Sequence, residues 1–174
     1  MRIISGQYKG RPLKSPTSTN IRPTGDKVKQ ALFTKLQFEI PNSVVLDLFC
    51  GSGALGIEAL SREAKFVYFV DKDKRSIALT QQNLKGLPNK YKVMNCSYEN
   101  ALNKITEQFD LILVDPPYAS GLYNNVLYLI EKNNLLKDGG YIVCEHPNDL
   151  EIESNFKLID KKRYGTVSLS FYTL

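Results

Sequence analysis

The four residues Asp115-Pro116-Pro117-Tyr118 follow the apolar run Phe109-Asp110-Leu111-Ile112-Leu113-Val114. Two consecutive prolines remove two backbone donors and restrict the dihedral angles beside them. The corner therefore presents acceptors, the Asp115 carboxylate and a Pro116 carbonyl, without donors. Its complement is an exocyclic amine, whose two N–H groups these acceptors would orient so that the nitrogen faces an incoming methyl group. Tyr118 adds an aromatic face on which a purine would stack.

A second constellation lies upstream. Asp47-Leu48-Phe49-Cys50-Gly51-Ser52-Gly53-Ala54-Leu55-Gly56 reads as a strand running into a glycine turn and then a helix. Gly51 and Gly53 allow a tight turn and close approach of a ligand, and Gly56 allows close packing of helix on strand. Asp71 follows Gly51 by twenty positions, where an acid at a strand end can accept ribose hydroxyls. Alone, this pattern fits a nicotinamide dinucleotide as well as S-adenosylmethionine. The acceptor-only corner decides for the methyl donor, because hydride transfer gives it no role.

The elements that must position these residues alternate. Expected strands are Val44–Phe49, Phe66–Asp71, Tyr91–Cys96, Asp110–Asp115 and Gly140–Glu145, with helices starting near Gly53, Asp73, Ser97 and Ser120. Such a rhythm predicts a parallel sheet with crossover helices on both faces. Pro88, the two prolines at 116–117 and the Asp138-Gly139-Gly140 turn punctuate it. Phe156–Tyr164 and Thr166–Leu174 are separated only by Gly165, too little for a crossover, so they predict an antiparallel hairpin. Before the first strand, Val28, Ala31, Leu32 and Leu36 stand at helical spacing with Thr24 as the expected N-cap.

The 174 residues, 43% hydrophobic and 24% charged, suit one folded domain, read as a basic arm over residues 1–23 and a core over 24–174. No apolar run approaches the roughly 20 residues of a membrane span, and no secretory signal opens the chain, so a cytoplasmic protein is expected. Cys50, Cys96 and Cys144 are scattered and suit reduced thiols rather than a metal site. His146, the single histidine, is followed by Pro147 and reads as a strand-end residue. Charge is uneven. Residues 1–35 hold eight basic side chains against Asp26, a local +7 in a chain of net +5, which suits a polyanionic partner.

With these residues in place, the chain resembles the RsmD-type 16S ribosomal RNA guanine methyltransferases. The resemblance spans nearly the whole sequence. Arg2-Ile3-Ile4-Ser5-Gly6, Lys9-Gly10-Arg11 with Leu13, Arg22-Pro23-Thr24 and Lys29-Gln30-Ala31-Leu32-Phe33 follow the family's opening pattern. The Asp47–Gly56 stretch continues similarly through Ile57-Glu58-Ala59-Leu60-Ser61-Arg62-Glu63-Ala64, and Asp115–Tyr118 completes the match. Lys29 stands where the family commonly has arginine, and Asn95-Cys96-Ser97-Tyr98 replaces the acid that many methyltransferases set against the cofactor adenine.

The resemblance implies a Rossmann-like class I methyltransferase fold, a mostly parallel seven-stranded sheet ending in an antiparallel hairpin. It implies S-adenosylmethionine held by Asp47, Gly51, Gly53 and Asp71, with Lys72 and Ser97 completing the expected set, and catalysis by Asp115, Pro116, Pro117 and Tyr118. Contact with 16S ribosomal RNA, free or in an assembling small subunit, is expected from Arg2, Lys9, Arg11, Arg22 and Thr24, in a monomer with no metal and no membrane partner. Three rival readings remain: a DNA adenine or cytosine amino-methyltransferase, a non-catalytic RNA-binding module on the same fold, and a nicotinamide-dependent dehydrogenase. The first usually carries an added target-recognition domain for which no stretch here is long enough. The second leaves Gly51, Gly53, Asp71 and Asp115 unexplained.

Overall fold

A computed structural model describes residues 1–17, 25–117 and 121–174. Seven strands form one sheet: β1 (Val44–Asp47), β2 (Phe66–Asp71), β3 (Tyr91–Asn95), β4 (Phe109–Val114), β5 (Leu136–Pro147), β6 (Lys157–Tyr164) and β7 (Val167–Thr173). The spatial order is β3-β2-β1-β4-β5-β7-β6. Strands β1 to β5 pair in parallel, and β7 joins antiparallel to both β5 and β6, so the closing hairpin is present as expected.

Five helices among the described residues cover the sheet: α1 (Asp26–Lys35), α2 (Ala54–Ser61), α3 (Lys74–Leu84), α4 (Tyr98–Lys104) and α5 (Leu122–Lys132). The central strands are apolar on both sides, as a doubly covered parallel sheet requires. Val45, Leu111 and Leu113 pack under α1, α2 and α3 with Phe33, Ile57 and Ile77. Their neighbours Val44, Leu46, Ile112 and Val114 face the other way, against Leu102 of α4 and Val126 and Ile130 of α5. This is the period of two expected of a strand. None of these helices is long and apolar enough to cross a membrane.

Most strand ends differ from expectation by one or two residues, β1 closing at Asp47 instead of Phe49 and β3 at Asn95 instead of Cys96, and three differences bear on the site and its supports. β4 ends at Val114, so Asp115 opens the following loop instead of closing the strand. β5 starts at Leu136 and runs through the Asp138-Gly139-Gly140 segment expected as a turn. The turn chemistry survives there as an irregularity: Phe109 pairs with Leu136 but Leu111 already pairs with Tyr141, and Gly139 takes φ +75°, a bulge that left-handed backbone permits. Helix α1 is capped by Gly25, without a side-chain cap, where Thr24 was expected; Thr24 lies outside the described residues.

The basic arm is clamped down. Ile3 and Leu13 are buried in the core, Arg2 bridges Pro12, and the N–H groups of Ile4 and Ser5 donate to the Glu58 carboxylate of α2 at 2.8 and 3.0 Å. Lys29 of α1, 1% exposed, lies 3.6 Å from the same carboxylate and donates to the Arg2 carbonyl at 2.8 Å. One buried acid thus fastens the arm, α1 and α2 together.

Candidate cofactor and substrate site

Between β1 and β4 the chain order reverses direction across the sheet, and in open α/β sheets ligands bind at the carboxyl ends of strands at such a switch point. The predicted residues converge there. After β1 the backbone is held on both sides, Leu48 N–H donating to Leu113 O at 3.1 Å and Cys50 N–H to Val70 O at 2.9 Å. Gly51 and Gly53 take φ +55° and +79°, left-handed backbone that glycine adopts without strain. A Cβ on Gly51 would meet nothing within 4 Å, so the turn faces open space. A Cβ on Gly56 would lie 2.3 Å from a Phe69 ring carbon, and this close approach brings the N-terminus of α2 over the strand end.

Three carboxylates rim the turn. Asp47, 2% exposed, accepts the Gly56 N–H at 2.9 Å. Burial pushes its pKa up to about 7; the Gly56 hydrogen bond opposes that shift, and the charges of Asp115 and Asp71 add to it. Asp71 accepts Gly51 N–H at 3.0 Å and Asp73 N–H at 2.9 Å. The register Asp47↔Leu113, carried two residues on, sets Asp115 beside Phe49. The acceptor-bearing corner therefore opens on the strand adjacent to the glycine turn. Asp115 is half-buried, Pro116 buried and Pro117 exposed. Tyr118 lies outside the described residues. The ring of Tyr123 on α5 backs this corner: its hydroxyl donates to Glu145 O at 2.6 Å, and burial, with the nearby Asp115 charge, raises its pKa and keeps it protonated.

The remaining expected residues are more dispersed. Ser97 stands at the end of β3, where its hydroxyl caps α4 by accepting Asn100 N–H at 3.2 Å. The Lys72 side chain is exposed beside Asp71. Arg2 and Lys9 are exposed on the arm, whereas the Arg11 guanidinium donates to the carbonyls of Asn83 and Lys85 at the end of α3, a helix-terminating role. Arg22 lies outside the described residues. His146 is structural: its ring contacts Ser170 Oγ and Pro147 O, each at 2.8 Å, and burial lowers its pKa.

Two residues that hold the turn were not legible as site residues. Thr80 Oγ1 donates to Gly51 O at 2.9 Å. Asn83 Nδ2 donates to Ser52 O at 2.9 Å and Lys14 O at 3.1 Å, while its Oδ1 accepts Lys14 N–H at 2.8 Å. Their one sequence signal is a pair of short polar residues three apart on α3, on the helix face that also carries Ile77 and Leu84. Asn95 acts similarly on β2, donating to the carbonyls of Asp71 and Lys72 at 3.0 Å.

The sheet order, its antiparallel end and the carboxylate-rimmed turn at the switch point define the class I methyltransferase fold. A solved structure of yhhF, a candidate methyltransferase of Escherichia coli, superposes with TM-score 0.88 at 34% identity, covering 99% of this chain and 96% of that one. The family model described as Conserved hypothetical protein 95 matches residues 1–173, and the chain belongs to that family, the RsmD-type methyltransferases. Ribosomal RNA small subunit methyltransferase D of Haemophilus influenzae is 38% identical over 99% of this chain and 93% of its own length. The protein of the same name from Escherichia coli K12 is 36% identical over 99% and 89%.

Proposed function

We propose that this chain transfers a methyl group from S-adenosylmethionine to the exocyclic amine of a guanine in small-subunit ribosomal RNA. The observation that carries the reading is the acceptor-bearing Asp115-Pro116 corner on the strand beside an open glycine turn rimmed by carboxylates. The donor set fits the cofactor. Asp47 and Asp115 suit a ligand bearing sulfonium and ammonium charges, while Asp71 can accept the ribose hydroxyls of either cofactor. The names of the relatives from Haemophilus influenzae and Escherichia coli favour ribosomal RNA over DNA.

When bound, the cofactor supplies an electrophilic methyl whose carbon–sulfur bond breaks as the new carbon–nitrogen bond forms. The protein's own work is positioning and charge stabilisation. Asp115 and the Pro116 carbonyl accept the two amine hydrogens, turn the nitrogen lone pair toward the methyl and stabilise the positive charge that the nitrogen acquires, until one proton leaves. Because a paired or stacked base cannot reach this corner, the guanine enters unpaired or flipped out.

Asp47 makes the site pH-dependent. Its carboxyl titrates near 7 instead of its ordinary 3.8, and the ionised form favours a cationic ligand. Affinity for S-adenosylmethionine, measured by calorimetry, is expected to rise as pH increases from 6 to 8, and Asp47→Asn is expected to flatten the profile. Without ligand the sign reverses: the raised pKa favours the fold at low pH, and that contribution is lost as pH climbs from about 4 through about 7.

The reaction itself is tested by incubating the protein with labelled S-adenosylmethionine and undermethylated small-subunit RNA or particles, with DNA in parallel, and mapping the label. Label on a guanine exocyclic amine is expected. Label on DNA adenine or cytosine alone would replace this reading with its nearest rival.

A further inference from the structure

The N-terminal charge excess pointed to the arm, but the structure assembles a second basic surface from segments far apart in sequence. The exposed side of α1 and the edge strand β6 flank a shallow, open groove of about 440 Å³, lined by Lys27, Gln30, Thr34, Lys35, Lys162 and Tyr164. Lys27, Lys35 and Lys162 line it against the one acid Asp160, a local +2, while Lys161 and Arg163, paired with Ser170 and Ser168, alternate to the opposite face of β6. Asp160 is spoken for: it binds Lys35 at 2.7 Å and lies 3.9 Å from Lys162, so it staples helix to strand across the groove floor.

We infer that this groove holds the RNA backbone flanking the target nucleotide, with Lys27 and Lys162 neutralising phosphates and Tyr164 offering a stacking face. The inference rests on the RNA-methyltransferase reading above. Its geometry follows from register. Tyr164, Val167 and Pro147 stand in one row across β6, β7 and β5, three residues beyond Cys144, the partner of Val114 on β4. That row is level with the loop following Asp115. Three strand spacings separate β6 from β4, about 14 Å at ~4.8 Å each, a span of about four stacked nucleotides at ~3.4 Å each. A strand whose base enters the acceptor corner therefore reaches the groove within a few nucleotides. Lysines on an edge strand also deter strand-to-strand aggregation, but that role leaves the facing Lys27, Gln30 and Thr34 of α1 without a purpose.

The test is RNA affinity across a salt series for the double variant K27A/K162A, with undermethylated small-subunit RNA as probe. Affinity is expected to fall about tenfold, and the slope of log affinity against log salt to shrink by about 1.4 to 1.8, the counterion release of two phosphate contacts. K27R/K162R should restore the slope. K65A/K90A, which removes equal charge from exposed positions at the amino ends of β2 and β3, should leave it as in the wild type. An unchanged affinity and slope in K27A/K162A, or an equal loss in K65A/K90A, overturns the groove. The slope requires no methyl transfer, so a wild-type protein that binds this RNA without methylating it would remove the proposed reaction while the groove stands on its own measurement.

Discussion

Asp115→Ala is expected to slow methyl transfer by about 10²- to 10³-fold or more in single-turnover assays with labelled S-adenosylmethionine, while cofactor affinity changes far less. The asymmetry follows from what Asp115 faces. A group preorganised against charge that develops only in the transition state typically contributes about 2.7–4 kcal/mol to the barrier. On the proposed reading the cofactor would instead rest against the glycine turn, Asp47 and Asp71, which the substitution leaves in place. Asp115→Asn keeps one acceptor oxygen but turns an amide donor toward an amine that already carries two, so it should rescue little. Removing Asp115 also takes a negative charge from beside Asp47, and Asp47 should ionise at a lower pH in the variant. A near-wild-type rate in Asp115→Ala would remove the corner from the mechanism.

Glu58→Gln is expected to be the most destabilising conservative substitution in the molecule. Glu58 is fully buried and accepts from Ile4 N–H, Ser5 N–H and, at 2.9 Å, Arg62 Nε. It is also the counter-charge of Lys29, whose pKa burial lowers and Glu58 raises. Glutamine would leave a buried ammonium uncompensated and aim its own N–H₂ into donors. Breaking one partner of such a pair costs about 3–5 kcal/mol. For a chain of this size that corresponds to a Tm lower by roughly 6–20 °C. Adding Lys29→Met should recover a good part of the loss, since removing both charges leaves neither stranded. A drop of under about 2 °C in Glu58→Gln would mean the arm is held by its apolar anchors, Ile3 and Leu13, and not by this acid.

The two constellations that carry chemistry were legible because each is local. Pro116-Pro117 lacks backbone donors wherever the chain places it. The Gly51, Gly53 and Gly56 spacing declares a turn and a close packing contact that the Phe69 ring then supplies. The strand–helix rhythm was legible for the same reason, since burial on alternate faces is written residue by residue along Val44–Asp47 and Phe109–Val114. Element ends were less so. Asp138-Gly139-Gly140 has turn chemistry, yet pairing with β4 draws β5 through it as a bulge.

What the sequence determined by itself was therefore the order of elements, the closing hairpin and the nature of the two loops, all properties of neighbours along the chain. The destination of each charge was settled only in three dimensions. Lys29, Arg11, Lys27 and Lys162 are alike as cations in the sequence, but the fold buries the first against Glu58, spends the second on the end of α3, and sets the last two along an open groove, with Lys162 3.9 Å from Asp160. A cation's partner is set by the field of whatever the fold brings near it, and that depends on packing between segments distant in the chain.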